Sequence, residues 1–186
     1  MRISLLIVTI MVVCFSSAHA NLPEPDMCFV EPCDAYMGVI LYPQPDAGGA
    51  AEMTIHVRNT LGDPIPNVFV ELIFGTPGNH FVCDDAVLTG VTDHNGEVVM
   101  SISAGGCTIG QDALLISGNG VIFRSYQNAK SPDYNPTNGE VNLGDFIWFG
   151  NNLMTAAPGC TDYYNTGSTS LASFIVFGEA WTHSCP

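Results

Sequence analysis

Alternation of apolar and polar residues predicts β-strands over the first two thirds of the chain, from Tyr36 to about Tyr126. In EMTIHVRN, Met53, Ile55 and Val57 alternate with polar residues, the period of two expected of a strand with one buried face. VFVELIF is rich in the β-branched and aromatic residues that strands favour. No helical period interrupts this region, so the pattern predicts a mainly β protein built on a small antiparallel β-sandwich.

Two Asn-Gly pairs predict tight turns inside this region. Asn95-Gly96 separates two apolar runs in LTGVTDHNGEVVMSIS, and Asn119-Gly120 does so in ALLISGNGVIF. Asn and Gly tolerate the positive φ angles that a two-residue hairpin turn requires. We therefore expect a β-hairpin at each pair.

The period changes after AKSPDYNP, a segment with the proline content typical of a domain boundary. Apolar residues then fall at spacings of three and four, as on one face of a helix: Leu143, Phe146, Phe149, Gly150 and Leu153. We expect an irregular, proline-containing lead-in over 21–35, the sandwich over 36–128 and a second unit over 129–186.

This second unit repeats itself. DYNPTNGEVNLGDFIWFGNNL and DYYNTGSTSLASFIVFGEAW share the pattern L-x-x-F-I-x-F-G, which begins at Leu143 in the first copy and at Leu171 in the second. Two loop–helix units of this kind can pack face to face and bury apolar stripes that neither buries alone. We expect Phe149 and Trp181 inside the resulting helical core, and we expect Trp148, one position off the stripe, to be exposed.

Composition narrows the classes of partner. The chain has 18 acidic residues against four Lys and Arg, a formal net charge of −14. This balance argues against nucleic acid, because phosphate binding depends on Lys and Arg, and it favours cations. Only 12% of the residues are charged and 47% are hydrophobic, so the chain should fold.

The first twenty residues resemble a secretory signal peptide: Arg2 precedes an apolar run, and Ala18-His19-Ala20 gives the cleavage pattern. Lipid attachment at Cys14 is the alternative, but no small residue precedes that thiol. Cleavage would leave a secreted chain that begins at Asn21, with no later segment apolar enough to cross a membrane.

Six cysteines follow the leader, and an even number in an exported chain favours disulfides. We expect sequential pairing, because each pair then encloses a local unit: Cys28–Cys33, Cys83–Cys107 and Cys160–Cys185. Zinc bound by cysteines with His80 and His183 is the alternative, which lacks a close Cys-x2-Cys pair.

The β region resembles the bacterial immunoglobulin-like domains of invasin and intimin. The resemblance lies in VRNTLGDPIPNVFVELIF followed by TDHNGEVVMSISAGG, and it covers about residues 50–120. It implies a spacer, adhesion or presentation module that has no catalytic residues.

The repeated unit resembles the dockerin family, whose two calcium loops read D-x-N-x-D-G-x-V-N-x-x-D before a short helix. The resemblance implies calcium-binding roles for these residues of the first loop: Asp133, Asn135, Asn138, Glu140, Asn142 and Asp145. In the second loop it implies such roles for Asp162 and Thr166. An inserted residue lengthens the first loop, and Tyr164 and Ser173 replace expected ligands in the second, so we expect one ion, in the first loop.

Dockerins bind their partners through residues next to the last ligand of each loop. The resemblance therefore implies an extracellular, cohesin-like protein partner that contacts these residues: Leu143, Gly144, Leu171 and Ala172. These positions are not the hydroxyl residues of cellulosomal dockerins. Trp148 is a further candidate contact, because we expect it to be exposed.

The alternatives differ in class. The first loop can also be a polar turn rich in Asn and Asp that caps a helix without metal. The protein would then be a structural or adhesive surface protein whose tail is a disulfide-held cap. An enzyme is the third possibility, for which the sequence offers no catalytic residues: Asp84 and Asp85 are adjacent and so point to opposite faces of a strand, and no nucleophile elbow is present.

Overall fold

The structure is a computed structural model that describes residues 21–31, 38–43, 52–75, 80–84, 86–134, 137–153 and 159–185. Within these ranges the protein is mainly β. The strands are β1 (Phe29–Glu31), β2 (Val39–Ile40), β3 (Glu52–His56), β4 (Phe69–Phe74), β5 (His80–Val82), β6 (Thr89–Val91), β7 (Glu97–Ser101), β8 (Ala104–Gly118) and β9 (Val121–Lys130). The helices are α1 (Leu143–Asn152) and α2 (Leu171–Glu179). Neither described helix has the length and hydropathy needed to span a membrane.

The strands form two sheets. The smaller sheet has the order β1-β3-β7, and the larger has the order β2-β9-β8-β4-β6 with β5 paired to β8. The pairs are antiparallel except for β2 with β9, which is parallel. Side chains from both sheets share one core, which includes Met53, Ile55, Leu72 and Ile116. The predicted period-two alternation is therefore confirmed in β3, and the two-layer arrangement is compatible with a β-sandwich.

The two predicted hairpins have different outcomes. Asn119-Gly120, with φ angles of 49° and 82°, joins β8 to β9 as predicted. The turn at Asn95-Gly96 also forms, but a hairpin there was the wrong prediction, because β6 pairs with β4 and β7 pairs with β3. The chain crosses between the sheets at this turn, so the two strands that flank it face the core from opposite layers.

The predicted irregular lead-in is also partly wrong. Phe29–Glu31 forms β1, an edge strand whose Val30 pairs with Ile55 and lies in the core. The prolines around it concealed this strand in the sequence, since Pro is depleted from strands.

The two described disulfides contradict the sequential pairing. Cys83 is bonded to Cys185 and Cys107 to Cys160. Strand register gives the reason: Val82 pairs with Ala104, so Cys83 lies near Ser103 rather than opposite Cys107. Cys28 has a free, buried thiol, and its predicted partner Cys33 lies outside the described residues. Both cross-links join the β-sheet region (residues 21–131) to the helical region (residues 133–185).

Two helices form where the repeated sequence predicted them. Asn142 caps α1, and its side chain accepts a hydrogen bond from Gly144 N. In return, the side chain of Asp145 accepts a hydrogen bond from the backbone amide of Asn142, which completes a capping box. Ser170 precedes α2 without a side-chain capping bond. Phe149 and Phe177 pack together between the helices, with ring centroids 5.0 Å apart. Together, α1 and α2 are called the helix pair below. The core of this region also includes Tyr42 of the β-sheet region.

Candidate functional site

One face of the helix pair is exposed and apolar. Phe149, Val176 and Phe177 point inward and are buried. Large apolar side chains on the opposite side are 41–70% exposed, and together they form what is called the outer face: Leu143, Phe146, Ile147, Leu171, Phe174, Ile175 and Trp181. The repeat places equivalent residues on both helices, so each helix contributes a leucine, a phenylalanine and an isoleucine to it.

A groove runs between the helices on this face. It has a volume of about 430 Å³ and is lined by Leu143, Phe146, Phe174, Phe177, Gly178 and Trp181. The ring of Phe146 lies 5.8 Å from that of Trp181 and 6.0 Å from that of Phe177. Gly178 has open space where a side chain would project, so the groove floor is accessible there.

The outer face carries almost no charge. The two helices contain only two charged residues, the buried Asp145 and the exposed Glu179. A nearly uncharged surface stands out on a chain with a net charge of −14.

Two of the predicted partner-contact residues, Leu143 and Leu171, belong to this face and are 63% and 70% exposed. Ala172 is exposed, and Gly144 is half-buried. The prediction that Trp148 is exposed was wrong, since it is half-buried against Tyr134 of the first loop, with ring centroids 4.4 Å apart.

Two aromatic residues differ in their burial. Phe149 is buried as predicted, but the prediction that Trp181 fills the core was wrong, since it is 41% exposed at the edge of the groove. Four further residues of the outer face were not predicted from the sequence: Phe146, Ile147, Phe174 and Ile175. The repeated Phe-Ile pair was the signal in the sequence that could have identified them. Helices this short pack only one narrow face inward, so most of the apolar stripe remains outside.

In the first loop, Asp133 is fully buried and binds backbone amides. Its Oδ1 accepts a hydrogen bond from Asn138 N (3.2 Å), and its Oδ2 accepts one from Gly139 N (2.7 Å). Gly139 has a φ of 82°, which favours glycine at this bend. Asp133 therefore closes the loop on itself, as the first residue of a metal loop or of a polar turn would.

The side chain of Asp145 holds the first loop at a second point. Its Oδ1 accepts a hydrogen bond from Tyr134 N (2.7 Å) and its Oδ2 one from Asn142 N (3.0 Å). The loop start and the beginning of α1 are thus held by one buried carboxylate. Among the other predicted ligands, Asn138 and Glu140 are exposed and Asn142 is the cap of α1, while Asn135 lies outside the described residues.

The carboxyl group of Asp133 lies in buried and acidic surroundings. The pKa of Asp133 is raised to about 6, chiefly by burial; the amide hydrogen bonds oppose this rise, and the negative charges of Asp145 and Glu140 add to it. Both side-chain oxygens of Asp133 and both of Asp145 are of the kind that calcium takes as ligands. No group of three His, Cys, Asp or Glu side chains in metal-binding geometry occurs in the described ranges. Calcium in the first loop stays a prediction.

The second loop contains a lysine instead. Asp162 is fully buried and accepts hydrogen bonds from Thr166 N (3.1 Å) and Gly167 N (2.8 Å), so Thr166 contributes to closing this loop. The side chain of Lys130, from the end of β9, enters the loop. Its Nζ donates to Asp162 O (2.6 Å) and to Asn165 Oδ1 (2.8 Å). A side chain of the β-sheet region is therefore hydrogen-bonded inside the second loop.

Both loops face the β-sheet region, which leaves the outer face on the other side of the helices. Gly106 N donates to Asp133 O (2.6 Å), and Asn128 Nδ2 donates to Asn165 Oδ1 (3.0 Å). Cys107, opposite Lys130 in the β8–β9 ladder, is bonded to Cys160 at the start of the second loop. Hydrogen bonds and a disulfide thus fix the loops against β8 and β9.

In comparison with known proteins, no family model, curated protein or solved structure matches this chain.

Proposed function

We propose that this protein is secreted and non-catalytic, and that the outer face of its helix pair binds an extracellular protein. The observation that carries the proposal is the cluster of seven large, exposed apolar side chains on that face. Large exposed apolar patches often mark interaction sites on soluble proteins.

In this proposal the β-sheet region is an immunoglobulin-like sandwich that carries the helix pair. The two-layer core of this region and its resemblance to invasin-type domains support that role. Two disulfides between the regions support a rigid presentation of the outer face and are consistent with an extracellular protein.

The partner has an apolar centre and a basic rim. The groove of about 430 Å³ accommodates one large apolar side chain, and such buried anchors supply most of the energy of many interfaces. The net charge of −14 favours Lys and Arg around that anchor and makes association faster at low salt. A cohesin-like protein is the candidate that the dockerin resemblance implies.

Calcium has a supporting role in the first loop. We propose that one calcium ion binds near Asp133 and Asp145 and relieves the repulsion between their buried carboxylates. The ion would thereby stabilise the loop that precedes α1. We propose no ion in the second loop, where Tyr164 and Ser173 replace expected ligands.

The test uses the mature chain, residues 21–186, immobilised through its amino terminus and exposed to culture-medium and envelope proteins of the source organism. Replacing Ile147 and Ile175 together by Glu should reduce saturable capture at least about tenfold, the loss expected when an interface loses about 1.4 kcal/mol. Ile122→Glu, at a 52% exposed isoleucine on β9, is the matched control. If the wild type, the double variant and Ile122→Glu capture equal amounts and have the same melting temperature, the outer face is not the binding surface.

A structural or adhesive protein is the second candidate, and the two inter-region disulfides favour it, because they suit a fixed cap. In that case Ile122→Glu or another change on the β-sheet region should abolish capture, while the helix-pair variant should bind normally.

A further inference from the structure

The side chains of Lys130 and Asn165 are in direct contact inside the protein. Lys130 is 3% exposed, and its Nζ lies 2.8 Å from Asn165 Oδ1. Since a carbonyl bond is about 1.23 Å long, Nζ lies within about 4 Å of the Asn165 carboxamide carbon.

The carboxamide of Asn165 is held in place and polarised. Asn128 Nδ2 donates a second hydrogen bond, of 3.0 Å, to the same Oδ1, which draws electron density away from the carbon. The backbone of Asn165 has a φ of 56°, and its amide donates to Asp162 O, so the residue is fixed in the bend of the second loop. On the other side, Gly38 borders Nδ2: a Cβ built there would be 3.1 Å from it.

Lys130 is buried, and the neutral form of its amine is the nucleophile in this reaction.

We propose that Lys130 and Asn165 form an intramolecular amide bond that joins β9 to the second loop. The bond between Lys130 Nζ and Asn165 Cγ forms, and the bond between Cγ and Nδ2 breaks. One proton of the neutral amine remains on the new amide, and the other passes to the departing nitrogen, which leaves as ammonia. The step needs no oxidant, reductant or cofactor.

The bond would be a third covalent link between the two regions. It would lie beside the Cys107–Cys160 disulfide, because Cys107 and Lys130 are opposite each other in the β8–β9 ladder. Unlike that disulfide it would survive reduction. The inference is independent of the proposed function, since neither Lys130 nor Asn165 belongs to the outer face.

Mass spectrometry of the mature secreted chain tests this. After reduction, the intact mass should be lower than the sequence mass by one ammonia, and proteolysis should yield a branched peptide that contains both Lys130 and Asn165. Because succinimide formation at an Asn-Gly pair also releases ammonia, the branched peptide is the deciding observation.

Lys130→Arg keeps hydrogen-bond donors at this position, and Asn165→Ala removes the acceptor carbon, so each variant should restore the sequence mass. Lys130 and Asn165 recovered in separate, unmodified peptides of the wild-type chain would overturn the proposal, whether or not the variants fold, and would leave the contact as a hydrogen bond alone.

Discussion

Gly105 lies directly against the carboxyl group of Asp133. A Cβ built on Gly105 would be 2.7 Å from Asp133 Cγ and closer still to Oδ2, so no side chain fits. Asp133 cannot move away cheaply, because both its oxygens accept backbone hydrogen bonds and its own carbonyl accepts one from Gly106. The first loop can therefore pack against β8 only because position 105 is a glycine.

Gly105→Ala should destabilise the protein by about 1–3 kcal/mol, the usual cost of overpacking a buried contact. Chemical denaturation of the oxidised mature chain measures this as a shift in the midpoint. Gly150→Ala is the control, because Gly150 is in α1 with open space around it, and there alanine should stabilise by up to about 1 kcal/mol. A neutral Gly105→Ala would mean that the loop does not pack against β8.

The disulfide pairing makes a second prediction. Non-reducing proteolysis of the mature chain should release Cys83 with Cys185 and Cys107 with Cys160. Replacing Cys107 and Cys160 by Ser should lower the free energy of unfolding by about 2–4 kcal/mol, because the unfolded chain loses a closed loop. Peptides that join Cys83 to Cys107 would refute this pairing and restore the sequential one.

The sequence predicted local structure better than it predicted contacts between distant segments. Residue periods identified β3 and both helices, and the Asn119-Gly120 pair identified the β8–β9 hairpin, because these depend on neighbouring residues. The disulfides, the crossing between sheets at Asn95-Gly96 and the entry of Lys130 into the second loop depend on strand register, which local patterns do not determine. In the site, the repeat identified Asp133 and Asp162 as equivalent residues. It gave no sign that Gly105 packs against the first and Lys130 against the second.

The raised pKa of Asp133 predicts a pH dependence of stability in the absence of metal. Its folded-state pKa of about 6 lies above the value of about 3.9 in an unfolded chain, so the folded state binds the proton more tightly. The contribution of Asp133 is therefore fully present below pH about 4 and is lost as the pH rises through about 6.

Denaturation in excess EDTA at several pH values measures this effect, with Asp133→Asn as the reference that lacks the titrating group. The stability of wild type relative to Asp133→Asn should fall by on the order of 2 kcal/mol between pH 4 and 7. A difference that stays constant or grows over that range would show that the carboxyl is not stabilised in its protonated form.

Calcium should bind once, in the first loop. Calorimetric titration of the mature chain should show a single site and a melting temperature that rises with calcium concentration, since binding to the folded state alone adds stability. Asn138→Ala and Thr166→Ala are a matched pair, because these residues hold equivalent positions in the two loops. The first should weaken binding about tenfold or more and the second should leave it unchanged, whereas no heat in the wild type would exclude the ion.

The central claim is that the outer face contacts the partner, and site-specific photo-crosslinking measures that contact most directly. A photoreactive amino acid is placed at Ile147 on α1 or at Ile122 on β9, two positions of similar exposure, 56% and 52%. Illumination with extracellular proteins of the source organism should give a discrete, saturable adduct from position 147, removed by excess unlabelled chain, and none from position 122. An adduct from position 122 with none from position 147 would contradict the account and place the binding surface on the β-sheet region.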